Sequence, residues 1–306
     1  MSYVGRFAPS PTGPLHAGSL LAAVGSWLDA RAHAGDWHLR IDDLDRFRCR
    51  PEYETLQRST LAAFGLQPFA KHADQLPWRQ SERLATYEAA IETLRSRVRI
   101  FACDCSRRDR LAEGEDGCLR DCRDRRVEPT GSAWRADLTT LPPLVVEDRS
   151  LGEIRFDPAV HRDVIVRRRD GLPAYALAVV IDDAARGVTD VVRGGDLLAG
   201  TCWQLGLHQA LGLTPPRYLH LPVVVEADGK KLAKSRHAIA LDSQATMSAL
   251  HLALTRLRQP TPTMDTPGPT PRQVETPQQL LEWASARWQP SAFAGLAAVA
   301  AQTDGR

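Results

Sequence analysis

Two stretches far apart in the chain carry groups suited to a polyphosphate. The first is Arg6-Phe7-Ala8-Pro9-Ser10-Pro11-Thr12-Gly13-Pro14-Leu15-His16-Ala17-Gly18-Ser19. Its prolines and Gly13 stop a strand over residues 3–8. From Ser19 the apolar residues Leu20, Leu21, Val24, Trp27 and Leu28 recur at helical spacing, with Gly35 beyond the end. Strand, tight turn and helix start together present backbone amides and the positive end of a helix dipole, which suits a phosphate. Gly18 lets a ligand approach the backbone, and His16 can donate a hydrogen bond to a phosphate oxygen. The plain alternative is an ordinary strand–helix connection with a solvent histidine. The second stretch is Gly229-Lys230-Lys231-Leu232-Ala233-Lys234-Ser235. Only Lys71 lies outside it among the four lysines, so this cluster stands out against a background of arginine. Lysine brings a compact, mobile ammonium that can follow a phosphate, although clustered lysines are more often a solvated loop.

A third group has metal-ligand spacing. Cys103-x-Cys105, twelve residues, then Cys118-x-x-x-Cys122 places four of the six cysteines within 20 positions. In a cytosolic protein that pattern favours a structural Zn(2+) over disulfides, and four thiolates close a tetrahedral site with no position open for catalysis. The alternative is a set of free buried thiols. Cys49 and Cys202 lie apart and read as packing residues.

The elements that must position these groups follow from periodicity. The chain has 306 residues, 43% hydrophobic and 25% charged, with a net charge of +2: two domains' worth of globular protein without a uniformly basic surface. No apolar run reaches membrane-span length and the N-terminus has no signal-like pattern, so no membrane association and a cytoplasmic location are expected. Trp37–Ile41 reads as a strand whose carboxyl end carries Asp42, Asp43 and Asp45. Ligands sit at that end in parallel sheets; helix capping before Pro51 is the alternative for Asp43 and Asp45. Residues 52–64 and 81–95 carry helical periodicity, as crossover helices of a doubly wound α/β domain would. Residues 134–149 are strand-like, and residues 164–175 form a hairpin turning at Asp170-Gly171. Residues 176–181 form a buried strand or helix ending in Asp182-Asp183. A strand ends at Arg193, and a helix starts after Asp196 as N-cap. Residues 218–225 make a further strand leading into the lysines, and residues 241–257 an amphipathic helix. A Pro/Thr-rich linker over 259–277, a small helix over 278–288 and a frayed tail beyond 302 complete the chain. Arg6 and Arg193 both fall where they can face the cleft, and two guanidiniums can grip a carboxylate with charge-assisted bonds. An ion pair of Arg193 with Asp190 or Asp196 is the competing reading. The runs Arg107-Arg108 and Arg167-Arg168-Arg169 can contact an RNA backbone or be solvated faces.

Pro14-Leu15-His16-Ala17-Gly18-Ser19 resembles the HIGH signature of class I aminoacyl-tRNA synthetases, and Lys231-Leu232-Ala233-Lys234-Ser235 their KMSKS signature. Arg6 through His16 resembles the glutamyl subgroup in particular. The resemblance runs from about residue 3 to about residue 240. It implies an α/β class I Rossmann-like parallel sheet with an inserted zinc-binding, acceptor-type subdomain and a short C-terminal helical segment. The expected boundaries are 1–100 and 161–240 for the two catalytic halves, 101–160 for the insertion, and 241–306 for helical segment, linker and tail, too short for an anticodon-binding domain. The cysteine spacing and the short form are similar to the glutamyl-queuosine branch. That likeness implies ATP-dependent, tRNA-independent activation of L-glutamate and its transfer to queuosine in the anticodon of tRNA(Asp) by a monomer, with Mg(2+) accompanying ATP. Catalysis would fall to His16, Lys231 and Lys234; ATP would meet Thr12, His16, Gly18 and the same lysines. Glutamate would meet Arg6, Phe7, Ala8, Pro9, Ser10, Asp42, Tyr175 and Arg193. Asp42 takes the place of an acid that helps hold the α-amino group, usually Glu, and Tyr175 lies in a segment like the family's DGxPxYxLAVVxDD; a core tyrosine is the bland reading. The competing functions are a truncated glutamyl-tRNA synthetase charging tRNA(Glu), a zinc-stapled RNA-binding module without activation, and an adenylate-forming ligase with another acceptor.

Overall fold

The computed structural model describes residues 2–69, 78–106, 117–118, 122–225, 240–262 and 274–300. Three parallel strands open the chain's first sheet: β1 (Val4–Phe7), β2 (Asp36–Ile41) and β3 (Trp78–Arg79), in the order β1-β2-β3. Between β1 and β2 runs α1 (Ala17–Ala32), which buries Leu20, Leu21, Val24, Trp27 and Leu28, the stripe that its spacing announced. It stops where Ala34 turns to φ 50 and Gly35 passes Tyr3 so closely that a Cβ there would sit 2.5 Å from the Tyr3 carbonyl oxygen. The helices α2 (Pro51–Ala63) and α3 (Leu84–Arg95) follow, the latter after a 3-10 turn over Gln80–Arg83.

The second half builds α4 (Tyr175–Ala185), β9 (Asp190–Gly194), α5 (Leu198–Leu211), β10 (Arg217–Leu221) and β11 (Val223–Val225). Between the halves lie β4 (Ile100–Cys103), β5 (Ala133–Asp137), β6 (Leu144–Asp148), β7 (Gly152–Phe156) and β8 (Asp163–Arg167). Strand β10 pairs in parallel with β9 and with β6, and β7 closes the order β7-β6-β10-β9. β1 lies beside β9, since Thr189 N donates to Val4 O at 3.0 Å. Consequently Phe7 and Arg193, at the carboxyl ends of β1 and β9, open onto the same place.

Several elements differ from the sequence expectation. The stretch 101–160 does not stand apart as one insertion. Strands β4, β5 and β8 form an antiparallel sheet, but β6 and β7 join the core sheet. Asp148 holds that junction, because its carboxylate accepts from the amides of Ser150, Leu151 and His220 at 2.9 to 3.0 Å. Asp182 and Asp183 lie inside α4, both buried, rather than ending a segment. The 164–175 hairpin is present, with Gly171 at φ 80 and Arg168 N bonded to Leu172 O at 2.8 Å. Asp196 sits in a 3-10 turn and does not cap α5, whose N-cap is Leu197. Pro222 splits the expected strand 218–225, because it cannot donate to a ladder.

The C-terminal part belongs to the core. The helices α6 (Thr246–Arg256) and α7 (Pro277–Ser285) bring Leu250, Leu254, Leu281 and Trp283 into one apolar cluster with α1 and β2. Strand β12 (Ala298–Ala300) pairs in parallel with β11. Thr276 and Gln279 form a capping box at the start of α7, which fixes where the linker ends. Among the described residues no helix is long and apolar enough to cross a membrane.

Candidate active site

A cavity of about 420 Å³ opens where β1, β9 and the start of α1 converge. Its lining includes Arg6, Phe7, Ala8, His16, Gly18, Tyr175 and Arg193 from the sequence prediction, with Val223 and Val224 of β11. Pro9, Ser10, Thr12 and Asp42 do not line it. The turn that holds the first three is tied down from behind: Gln57 of α2 donates to Ser10 O at 3.1 Å and Gly13 O at 2.7 Å, and Asp42 N, just past β2, donates to Pro9 O. These bonds hold the turn in place beside the residues that do line the cavity.

His16 does not leave the helix start open. It is the N-cap of α1, and its Nδ1 accepts from Gly18 N at 3.2 Å and Ser19 N at 3.4 Å. Two amides expected to meet a phosphate are therefore engaged. The same bonds place the neutral ring's proton on Nε2, which makes the imidazole the donor. Gly18 serves this cap as well: a Cβ there would stand 3.2 Å from the ring's Cε1. Close approach at Gly18 is thus made by the protein's own histidine.

The two arginines behave differently. Arg6 is buried and gives Nε to both oxygens of Asp183 at 3.2 and 3.3 Å. Arg40 bridges Asp183, at 2.5 Å, and Asp42, at 2.7 Å. Asp182 lies beside them, accepting from Arg83 at 2.7 Å and Tyr87 at 2.9 Å. Burial would raise Asp183, but Arg6 and Arg40 outweigh it and lower its pKa. At Asp42 burial wins over Arg40, and the pKa is raised. Both Asp42 oxygens are engaged by Arg40, so this carboxylate reaches a ligand only by sharing that pair. Arg193, by contrast, makes no ion pair with Asp190 or Asp196. Its bonds go to His220, Thr201 and Gln204. Tyr175 is 44% exposed as a whole residue, yet burial raises its phenol pKa while Arg193 opposes the shift.

Lys231 and Lys234 lie outside the described residues, as does Arg107-Arg108. Both ends of their segment are fixed at the cavity, however. Val223 and Val224 line it, and on the return Ala240 bridges to His16 while Leu241 N donates to Leu15 O at 3.0 Å. The other basic run is occupied within the fold: Arg167 lies 3.9 Å from the Trp134 ring and pairs with Glu88, and Arg168 pairs with Asp170 at 2.6 Å.

Cys103, Cys105, Cys118 and Cys122 form no disulfide, and their sulfurs all lie within 4.8 Å of one another. A tetrahedral metal with bonds of about 2.3 Å needs sulfurs about 3.8 Å apart, and Cys105 and Cys122 stand at 3.7 Å. Cys122 N donates to Cys118 Sγ at 3.3 Å, a support typical of metal-thiolate loops. The donor set fits a metal ion.

Sequence reading missed Asp183, Arg40, His220, Asp148, Thr201 and Gln204. One signal was available: His220 is a polar residue flanked by Leu219 and Leu221 in a buried strand, which implies a buried partner.

Residues 3–250 match the family model described as tRNA synthetases class I (E and Q), catalytic domain. A protein of Xanthomonas axonopodis pv. citri, named glutamyl-Q tRNA(Asp) synthetase, is 49% identical over 260 residues, covering 84% of this chain and 83% of its own. One of the same name from Bordetella bronchiseptica is 43% identical, covering 94% and 89%. The fold matches a glutamate-tRNA synthetase structure from Elizabethkingia anophelis with a TM-score of 0.76 at 21% identity; the match spans 95% of this chain and 66% of that one. A family match over most of the chain and near-half identity to these relatives agree: this chain belongs to the class I glutamyl- and glutaminyl-tRNA synthetase family, in its glutamyl-Q tRNA(Asp) synthetase branch, and is a ligase.

Proposed function

We propose that the protein joins L-glutamate to ATP without tRNA, forming glutamyl-adenylate, and passes the glutamyl group to queuosine in the anticodon of tRNA(Asp). The observation that carries this reading is Arg193, a buried guanidinium facing the cavity whose hydrogen-bond partners among the described residues are all neutral. An amino acid whose side chain ends in a carboxylate supplies the missing anion. Phe7, Ala8 and Tyr175 wall the same pocket, and Asp42, paired with Arg40, is the carboxylate we assign to the α-amino group.

In the first step a glutamate α-carboxylate oxygen attacks the α-phosphorus of ATP, and pyrophosphate leaves. This in-line displacement depends on positioning and charge stabilisation rather than a proton relay. His16 Nε2–H, Lys231 and Lys234 stabilise the growing phosphate charge, and Mg(2+) accompanies ATP. In the second step a hydroxyl of queuosine's cyclopentenediol attacks the activated carbonyl and AMP leaves.

The test is ATP–pyrophosphate exchange with purified protein and no tRNA, followed by the mass of the charged nucleoside. Exchange that needs glutamate and is not supported by glutamine is expected, with the mass gain on queuosine. Charging of tRNA(Glu), or absence of exchange, would overturn the reading.

Zinc is the metal we assign to the four thiols, in a structural role. Burial raises the thiol pKa of Cys103 to about 11 and raises that of Cys122 as well, so a bound cation favours their thiolate forms. Metal analysis should return one zinc per chain. Cys122→Ser should lower that content several-fold and loosen the β4–β5 region to protease, with glutamate-dependent exchange largely kept; full zinc retention would remove the assignment.

A further inference from the structure

The two other arginines at the back of the cavity, Arg6 and Arg40, have opposite partners among the described residues, Asp183 and Asp42. Arg193 is the exception. Its Nε donates to His220 Nε2 at 3.2 Å, and its Nη2 donates to Thr201 Oγ1 at 2.7 Å and to Gln204 Oε1 at 2.8 Å. The Tyr218 ring lies 5.5 Å from the guanidinium carbon. Nη1 makes no hydrogen bond to a described residue, although the side chain lines the cavity.

The histidine can accept only while Nε2 carries a lone pair. Asp148 enforces that form: Oδ2 accepts a hydrogen bond from Nδ1–H at 2.7 Å and another from His220 N at 3.0 Å. Burial would raise the Asp148 carboxyl, but the bonds from His220 and Ser150 hold it down at about 2, so it stays ionised. Burial lowers His220, and neighbouring Arg193 adds to that lowering against the pull of Asp148. Gln204 and Thr201 come from α5, and His220 from β10, so two elements supply the acceptors.

We propose that Gln204, Thr201 and His220 are specificity-determining positioning residues, a neutral cage that fixes Arg193 without cancelling its charge. The incoming side-chain carboxylate is then the guanidinium's one anionic partner. An amide brings a neutral oxygen and an NH2 group that gains nothing from a cation. Selection of the acid over its amide therefore depends on the acceptors being uncharged, not only on the arginine. This inference rests on the reading that Arg193 receives the γ-carboxylate of glutamate.

Gln204→Glu tests it, because it keeps the shape and adds an internal carboxylate 2.8 Å from Nη2. Glutamate and ATP binding to the full chain are measured separately by calorimetry, and the KM of each by exchange. Glutamate affinity should fall on the order of 100-fold, as for loss of a desolvated charge pair, with the KM for ATP within about twofold. His220→Leu should also raise the glutamate KM selectively, and His220→Gln, which can set Oε1 near the Nε2 position, should recover most of it. Unchanged glutamate affinity in Gln204→Glu, or His220→Gln behaving like His220→Leu, would overturn the inference alone. Equal losses for glutamate and ATP would reduce the cage to a packing role and overturn it as well. Failure of the unaltered protein to bind glutamate would overturn the underlying reading together with it.

Discussion

Arg193→Met should raise the KM for glutamate by roughly 100- to 1000-fold and leave the KM for ATP within about threefold. Truncating one partner of a buried, hydrogen-bonded charge pair costs about 2–5 kcal/mol, and each 1.4 kcal/mol is tenfold. Methionine keeps the side chain's length and apolar stem while removing the guanidinium. Two features put the loss at the upper part of that range. The guanidinium is buried, with 5% of the residue exposed, so solvent screens it little. It also has no carboxylate partner among the described residues to share the effect. Removing it leaves His220, Thr201 and Gln204 bonded to one another or to water, with no orphaned charge, so the fold should tolerate the change. Arg6 makes the useful contrast, since its loss strips a counter-charge from buried Asp183. Exchange kinetics over a matrix of glutamate and ATP concentrations separates the two constants. Equal losses for both substrates would remove the γ-carboxylate role.

Much of this was legible beforehand, for reasons that differ by residue. The Arg6–Ser19 turn announced itself because proline and glycine punctuate the backbone locally. The α1 stripe was plain because burial of one face writes its period into the sequence. The four cysteines were found because metal ligation demands one residue type at short spacing. The polar groups behind the cavity were not legible. Arg40 meets Asp183 across 143 positions and Asp148 meets His220 across 72, and nothing in either neighbourhood names its partner. The role of His16 was half legible. Its position at a helix start was plain, but which ring nitrogen caps and which donates is decided by backbone geometry at Gly18 and Ser19. Likewise β6 and β7 look like any hairpin until Asp148 is seen to bind the amides of β10's neighbourhood. The C-terminal residues 274–300 carried no motif. They reach the core through apolar contacts of Leu281, Trp283 and Phe293, a signal too common to assign from sequence.

Lys234→Ala should slow glutamate-dependent exchange by roughly 30- to 1000-fold, or about 2–4 kcal/mol of transition-state stabilisation, the scale of losing one preorganised charge donor. Zinc content should not change, since the cysteines lie in a different part of the fold. The chain itself limits where this lysine can act. Ala240 bridges to His16, and six residues of fully extended chain from there reach at most about 20 Å. The other end of the segment leaves from Val225, next to two residues that line the cavity. An ammonium tethered at both ends to the rim can reach the phosphates of an ATP held at His16 Nε2. The loss should appear mainly in kcat, because the charge being stabilised grows as the α-phosphorus bond to pyrophosphate breaks, with glutamate's KM changing little. Lys234→Arg keeps the charge but spreads it over a planar fork, so partial recovery is expected there. Full exchange activity in Lys234→Ala would separate Lys234 from the chemistry.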